Sequence, residues 1–281
     1  ASAGIKGREK TVIRLAEQSL KLRESSEGLF LMGTNKSKLG DYQGAIAALT
    51  RSIEIDPQNS SSEYNNRGFV KYNLGDNQGA IADYNKAIAI DPQHDSAYSN
   101  RGIAKYDLKD YQGAIADYNK AIAINPQFAN AYNNRGSAKN ALRDYQGAIA
   151  DCNKAIAINP QYAAAFANRG NAKKGLGDYQ GAIADYNKAI AINPKDSKAY
   201  YNRGTTKSEL KDHQGAIADY NKAIAINPQY GKAYNNRGFT KQQSGDDRGG
   251  CADYKKAVSL GRQSTAQFLN SEGGAWCRNM R

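Results

Sequence analysis

Apolar residues recur along this chain at helical spacing, in two stretches that together fill a unit of about 34 residues. In the unit from Asp95 to Phe128, the first stretch ends at Leu108 and the second lies between Asp110 and Pro126. Asp110 can accept hydrogen bonds from the free amides of a second helix, and Pro126 ends that helix because it has no amide donor. The pattern predicts two amphipathic helices joined by a tight turn. The apolar and small positions are Ala97, Tyr98, Gly102, Ala104 and Leu108, then Ala114, Ile115, Tyr118, Ala121, Ile122 and Ile124.

The prolines mark the period of this unit. The chain contains 6 prolines, each 34 or 35 residues from the next: Pro57, Pro92, Pro126, Pro160, Pro194 and Pro228. An Asn-Arg-Gly sequence returns with the same period, beginning with Asn66-Arg67-Gly68. This regularity predicts one helical hairpin copied along the chain, with each copy packed against its neighbours.

Tyr or Phe, Gly, Ala, Tyr, Ala and Pro follow one another at fixed offsets, and this pattern resembles the tetratricopeptide repeat. The resemblance covers residues 26–264, with the first and last copies degenerate. It implies an all-α fold, a right-handed superhelical α-solenoid of about seven helix-turn-helix repeats with terminal capping helices. The expected repeats are residues 26–60, 61–94, 95–128, 129–162, 163–196, 197–230 and 231–264.

The two ends lie outside this pattern. Residues 1–25 form the expected N-terminal capping segment, because residues 8–23 carry apolar groups at helical intervals. A helix lying on a membrane surface is the alternative for this segment. Residues 265–281 contain Trp276 and are expected to fold back onto the last repeat. This tail is similar to those of cyanobacterial tetratricopeptide proteins.

The formal net charge of +12 suggests a nucleic-acid partner at first sight, but six of these twelve charges come from one net positive charge in each of the last six repeats and are therefore dispersed. Each of the last six repeats carries an arginine in its first helix and an aspartate in its second helix. The first repeat lacks both, since Met32 and Ala48 stand in their places, and such a joint loss predicts an ion pair between the two helices of a repeat. We therefore assign the arginines to structure. The expected pairs are Arg67 with Asp83, Arg101 with Asp117, Arg135 with Asp151, Arg169 with Asp185, Arg203 with Asp219, and Arg237 with Asp253.

The sequence offers little for catalysis or for binding a metal or cofactor. No nucleophile, base and orienting residue recur together, and neither Cys/His metal spacing nor a glycine-rich phosphate loop is present. Cys152 and Cys251 replace apolar repeat residues, so both are interpreted as packed thiols. Cys277 has no repeat template, and a bridge between Cys251 and Cys277 remains open. The sequence gives no account of the glycine that recurs inside the second helix.

The resemblance implies that the first helix of each repeat lines a concave groove that binds peptides. One asparagine lies there in each of the last six repeats, while Leu31 takes its place in the first, and the carboxamide can both donate and accept a hydrogen bond to an extended backbone. We call this set the asparagine ladder: Asn66, Asn100, Asn134, Asn168, Asn202 and Asn236. The alternative is that these amides hold neighbouring helices together. The groove is expected to be apolar early, at Phe69, Tyr72, Ile103 and Tyr106, and polar or cationic later, at Asn171, Lys174, Lys198 and Lys232.

These features predict a non-enzymatic scaffold that binds an extended segment of a partner protein, in the assembly of a larger complex. An apolar stretch and an acidic end would suit the partner segment. Two other hypotheses remain, a basic nucleic-acid-binding solenoid and a self-associating structural protein. No membrane insertion of this chain is expected. The opening Ala1-Ser2-Ala3 suits an exported protein with a processed signal as well as a cytoplasmic one, so compartment and oligomeric state stay open.

Overall fold

The computed structural model describes residues 9–15, 17 and 25–278, and over these residues the chain consists of helices and turns without strands. The expected all-α fold is therefore confirmed. Residues 9–15 and 17 are helical, while the rest of the predicted N-terminal helix, residues 8, 16 and 18–23, lies outside the described residues. Residues 279–281 of the tail, including Met280, also lie outside them. The chain divides into two compact units, Ala1–Leu142 (unit 1) and Arg143–Arg281 (unit 2).

In chain order, the helices alternate as the first and second helices of successive repeats. Unit 1 contains α1 (Ser26–Leu39), α2 (Tyr42–Ile55), α3 (Ser61–Asn73), α4 (Asn77–Ile90), α5 (Asp95–Asp107), α6 (Tyr111–Ile124) and α7 (Ala129–Ala141). Unit 2 contains α8 (Tyr145–Ile158), α9 (Ala163–Gly175), α10 (Tyr179–Ile192), α11 (Ser197–Glu209), α12 (His213–Ile226), α13 (Gly231–Gln243), α14 (Asp247–Ser259), α15 (Gln263–Asn270), a 3-10 turn (Glu272–Gly274) and α16 (Ala275–Arg278).

In every repeat, an aspartate caps the N-terminus of the second helix. The Oδ1 atom of Asp110 accepts a hydrogen bond from the backbone N–H of Gly113 at 2.9 Å, and this satisfies one of the free amides at the start of α6. The equivalent bond recurs in the other repeats, from Asp41 in the first to Asp246 in the last. The sequence prediction of this cap is confirmed.

The core of each hairpin is built from small residues and one tyrosine. Ala114, Tyr118 and Ala121 of α6 are fully or almost fully buried. Gly102 of α5 lies against the ring of Tyr118, where an added Cβ would stand 2.7 Å from Cε1. Real Cβ atoms do not approach so closely, so glycine is what allows the two helices to enclose the ring.

The first helices of neighbouring repeats touch one another within each unit. In unit 1 these contacts join α1 to α3, α3 to α5 and α5 to α7, and in unit 2 they join α9 to α11 and α11 to α13. Within each unit, the described second helices of neighbouring repeats make no comparable contact. The first helices thus form a connected face in each unit, and we call it the first-helix face. Every helix in the described part of the chain is too short or too polar to cross a bilayer.

Candidate functional site

The asparagine ladder lies on the first-helix face, with three members in each unit. In unit 1, Asn66 donates from Nδ2 to Oγ1 of Thr34 at 3.2 Å, and Asn100 donates from Nδ2 to Oδ1 of Asn65 at 3.0 Å. Both bonds reach back to the preceding repeat. All six ladder side chains are half-buried, so they are neither sealed in the core nor free on the surface.

Unit 2 repeats this arrangement with different acceptors. Asn202 donates to Oδ1 of Asn171 at 3.1 Å, and Asn236 donates to the hydroxyl of Tyr201 at 3.0 Å. The ladder amides therefore do hold neighbouring first helices together, as the alternative interpretation expected. Each of these bonds uses one amide hydrogen. Over the described residues, Oδ1 of Asn66, Asn100 and Asn202 accepts no hydrogen bond from the chain, so it is available to an external donor.

Apolar side chains accompany the ladder in unit 1. Phe69 is 46% exposed and lines a cavity of about 170 Å³ together with Asn66. Ile103 and Tyr106 line a second cavity, of about 100 Å³, together with Asn134. The structure thus brings three of the four predicted apolar residues beside ladder amides.

Tyr72, the fourth predicted apolar residue of unit 1, is tied to the same face through its hydroxyl. That hydroxyl donates to Oδ2 of Asp107 at 2.6 Å. Burial, followed by the hydrogen bond to Asp107, raises the pKa of Tyr72 to about 12. The tyrosine is therefore a neutral donor at physiological pH, and its ring is held in place on the first-helix face.

The predicted cationic residues of unit 2 fall into two groups. Lys198 and Lys232 are exposed. Lys174 is half-buried with its Nζ 3.7 Å from Oε1 of Glu209, and burial lowers its pKa although Glu209 opposes the shift. Asn171 is committed to the fold, because its Oδ1 also accepts from the hydroxyl of Tyr186 at 2.8 Å. Of these three lysines, Lys198 and Lys232 are thus the ones exposed to solvent.

Sequence reasoning missed Phe239, which is 50% exposed on the first-helix face of unit 2. It lines two adjoining cavities, of about 340 and 470 Å³, and Asn236 lines both of them as well. The repeat alignment contains a signal for it, since Phe239 stands three residues after a ladder asparagine, as Phe69 does. What the alignment lacks is the tail, which forms the far wall of the larger cavity.

The arginines are engaged in structure, as the sequence predicted. Arg101 donates from Nε and Nη2 to the carboxylate of Asp117 at 2.9 and 2.6 Å, and Lys105 lies 2.8 Å from the same carboxylate. The remaining Nη1 donates to Oδ1 of Asn85 in the preceding repeat at 2.6 Å, and the guanidinium lies over the Tyr98 ring. Ion pairs of the same kind join Arg67 to Asp83, Arg169 to Asp185, Arg203 to Asp219 and Arg237 to Asp253. These guanidinium groups are therefore not available as phosphate ligands.

The expectation that Cys251 is a packed free thiol is wrong. Cys251 of α14 forms a disulfide with Cys277 of α16, and their Cα atoms lie 5.3 Å apart. This distance is within the range that a disulfide spans without backbone movement. The pairing became possible because the tail returns to the last repeat. Cys152 is a buried free thiol as predicted, and burial raises its pKa to about 12.

Helical hairpins with this capping, packing and repeat length define a class of helical repeat protein, and comparison with known families identifies it. The family described as "Tetratricopeptide repeat" matches residues 26–59, 96–128, 129–162, 163–196 and 197–230, and the description "TPR repeat" matches residues 68–109. These matches together cover more than half of the chain. The chain belongs to the tetratricopeptide repeat (TPR) family.

Solved structures agree with this assignment. A tetratricopeptide repeat protein from Parabacteroides merdae is 23% identical, with a TM-score of 0.71 over 87% of this chain and 97% of its own. MamA is 29% identical, with a TM-score of 0.53 over 59% of this chain and 97% of its own. YrrB, a TPR protein with an unusual peptide-binding site, is 22% identical, with a TM-score of 0.52 over 66% of this chain and 95% of its own. A comparison with curated proteins gives no match.

TPR proteins are generally non-catalytic scaffolds that bind proteins or peptides, and this chain has their architecture. In the described residues, no three His, Cys, Asp or Glu side chains are grouped so that they could hold a metal ion.

Proposed function

We propose that this chain binds an extended segment of another protein along the first-helix face of each unit. The observation that carries the proposal is that, within the described part of the chain, three ladder carboxamides donate a hydrogen bond while their Oδ1 atoms accept none. Asn66, Asn100 and Asn202 each donate one hydrogen to the preceding repeat and keep an unoccupied Oδ1 on the same face. A carboxamide in this state can accept from the backbone N–H of a bound strand, and such a bond does not depend on the strand's sequence.

The intramolecular bond also supports binding in another way. A side chain that is already held in one rotamer loses little conformational entropy when a ligand arrives, so more of the new bond's free energy appears as affinity. Because the donor half of each amide is anchored to the neighbouring first helix, the acceptor half is pre-positioned. Holding the helices together and binding a strand are therefore compatible roles for the same residue.

The side chains around the ladder favour a particular partner chemistry. In unit 1, Phe69, Ile103 and Tyr106 line cavities next to ladder amides, and these favour apolar side chains of the partner. In unit 2, the exposed Lys198 and Lys232 each stand four residues before a ladder asparagine, so they share its helix face. These amines favour an acidic residue or a terminal carboxylate. That YrrB, with the same fold, has a peptide-binding site supports peptide binding as a use of this fold.

Selection from a random dodecapeptide display library on the intact chain, followed by affinity measurement on the enriched synthetic peptides, tests the proposal. Asn100→Ala and Asn202→Ala should each weaken binding of peptides at their own unit by about threefold to tenfold, the usual worth of one hydrogen bond. Asn85→Ala and Asn187→Ala are matched controls. These second-helix asparagines also make one bond between repeats, accepting from Arg101 and Arg203 at 2.6 Å, but they do not lie on the first-helix face.

The controls should keep the affinity within about twofold even if they destabilise the fold by the same amount as the ladder variants. Equal losses in ladder and control variants would show that the ladder acts only in folding. The nucleic-acid hypothesis would be supported instead if no peptide were enriched and the protein bound duplex DNA with an affinity that falls steeply as the salt concentration rises.

A further inference from the structure

A cavity in unit 2 lies between the last repeat and the C-terminal tail, and no repeat-based prediction points to it. It has a volume of about 470 Å³ and is open to solvent. We call it the tail pocket. The rings of Phe239, Tyr254 and Phe268 line it from α13, α14 and α15, and the amides of Asn235, Asn236 and Gln242 also line it.

The tail is a fixed wall of this pocket. The disulfide between Cys251 and Cys277 joins α16 to α14, and Cys277 is fully buried. The rings of Phe268 and Trp276 lie 5.3 and 6.3 Å from the ring of Tyr254, measured between centroids. Aromatic pairs at such distances are stabilising. Covalent and aromatic contacts thus hold the wall against the last repeat.

A chain of hydrogen bonds joins the tail to the asparagine ladder. The hydroxyl of Thr265 donates to Oδ1 of Asn235 at 2.6 Å, and Asn235 donates from Nδ2 to Oδ1 of Asn236 at 3.1 Å. Asn236 in turn donates to the hydroxyl of Tyr201 at 3.0 Å. The last ladder amide is therefore oriented from both sides. Asn236 also interacts with the hydroxyl of Tyr220, so its carboxamide is fixed at the edge of the pocket.

The exposure of Phe239 indicates that the tail pocket binds a group of a partner. Half of its surface faces solvent although it stands among polar residues, and it projects between the tail pocket and the neighbouring cavity of about 340 Å³. Exposed aromatic rings beside a cavity are typical of the anchor points of interfaces. An apolar side chain flanked by a peptide backbone fits this combination, since the rings would bury the side chain while the amides satisfy the backbone on either side.

We propose that the tail pocket receives an aromatic or large aliphatic side chain of the partner segment that lies along the first-helix face of unit 2. The inference rests on the proposed function, because Asn236 belongs both to the ladder and to the pocket. The continuity between the two argues for a peptide side chain over a separate small molecule. It also makes the C-terminal end of unit 2 an apolar anchor, which differs from the purely polar and cationic character predicted from sequence.

The test uses peptides enriched from the dodecapeptide library on the intact chain and sorted by their response to Asn202→Ala. Peptides that lose affinity with this variant bind unit 2. For them, Phe239→Ala should lower the affinity by about tenfold or more, the usual effect of truncating an interface anchor. Leu176→Ala is the matched control, since Leu176 is an apolar residue of unit 2 that is 45% exposed and lines neither of the two cavities. It should leave unit 2 peptides within about twofold of the wild type.

A double-mutant cycle then identifies the occupant. Replacing the aromatic or aliphatic residue of the peptide by alanine should cost about tenfold against the wild type and little against Phe239→Ala, because the two side chains contact each other. Additive losses would overturn the proposal. Because Phe239 is half exposed, its truncation is expected to leave the fold intact, and a circular dichroism melt checks this.

The possible outcomes separate the two proposals. If Asn202→Ala weakens binding and Phe239→Ala does not, the pocket inference fails and the proposed function stands. If no enriched peptide responds to Asn202→Ala, both fail for unit 2. A rise in peptide affinity after deletion of residues 279–281 would assign the pocket to the chain's own end. A dimer in light scattering that Phe239→Ala dissociates would assign it to a second copy, and either result would overturn the proposal.

Discussion

Asp110 and Gly113 are interlocked at the N-terminus of α6. Oδ1 of Asp110 accepts the backbone N–H of Gly113 at 2.9 Å, and a Cβ placed on Gly113 would stand 2.1 Å from Oδ2 of the same carboxylate. In the second helix of every repeat, the same relationship joins the capping aspartate and the glycine three residues later. The recurring glycine, which the sequence alone does not explain, thus leaves room for the capping carboxylate in the position that it takes here.

We predict that alanine at position 113 stabilises the chain only when the cap is absent. Alanine is favoured over glycine by about 1 kcal/mol in a helix. In the wild type this gain should be offset, because the new Cβ displaces the Asp110 carboxylate and weakens a cap worth about 1 kcal/mol. In the Asp110→Ala background the full gain should appear. Denaturant unfolding of the wild type, both single variants and the double variant measures the coupling.

A stabilisation by Gly113→Ala of about 1 kcal/mol in both backgrounds would contradict this account. Asp178 and Gly181 in α10 provide an independent copy of the experiment in unit 2, with the same geometry and a Cβ distance of 2.1 Å.

The ion pair of Arg101 and Asp117 gives a second prediction. The substitutions that test it are taken from the first repeat, which has methionine and alanine at these positions. Arg101→Met should destabilise the chain by about 3 kcal/mol, because the buried carboxylate of Asp117 loses its arginine partner and two hydrogen bonds. Adding Asp117→Ala should restore much of this loss, since Met32 and Ala48 occupy these places in the first repeat and Ala48 is buried. The measurement is the free energy of unfolding of all four proteins. If the losses of unfolding free energy in the two single variants add up to the loss in the double variant, the two residues act independently.

The repeat pattern made the hairpins, their caps and the ion pairs predictable, because each depends on residues within one repeat. The joint replacement by Met32 and Ala48 revealed the ion pair without any structure. The disulfide and the tail pocket could not be found in this way. Cys277 and Phe268 have no equivalent in the other repeats, so their neighbours depend on how the tail returns to α14. The partners of Asn202 and Asn236 differ as well, being an amide and a tyrosine hydroxyl, and a repeated sequence cannot distinguish such contacts.

Alkaline pH should unfold the chain through its buried tyrosines. Burial raises the pKa of Tyr220 to about 12, from an unfolded value of about 10. A pKa that is raised in the folded state means that stability is constant below pH 10 and falls as pH rises towards 12, because the unfolded chain ionises first. Tyr220→Phe removes one such group. The difference in unfolding free energy between the wild type and this variant should therefore stay constant up to about pH 10 and shift in favour of the variant above it.

Denaturant titrations at a series of pH values measure this difference, and the contributions of the other tyrosines cancel between the two proteins. An identical pH dependence in wild type and variant would show that Tyr220 ionises equally readily in both states. The hydroxyl of Tyr220 interacts with Thr205, Asn236 and Thr240, so the constant offset below pH 10 should be about 1 kcal/mol, the usual contribution of a hydrogen bond.

The cysteines should be distinguishable by their reactivity. In the folded chain Cys152 is buried and its pKa is raised to about 12, so alkylation should be slow. Of the 3 cysteines, one should react after unfolding without reductant and all 3 after unfolding with a dithiol, and mass spectrometry counts them. Three reactive thiols without reductant would show that Cys251 and Cys277 are not bonded.

The bond itself should stabilise the C-terminal end of unit 2. Cys251 and Cys277 are 26 residues apart, and closing a loop of this length contributes about 3.5 kcal/mol. Replacing both cysteines by serine should lower the unfolding free energy by about that amount, and a dithiol should do the same to the wild type. The dithiol should not affect the double variant, which makes it the control. If reductant and substitution leave stability unchanged while the thiol count confirms the bond, the aromatic contacts of Phe268 and Trp276 with Tyr254 suffice to hold the tail.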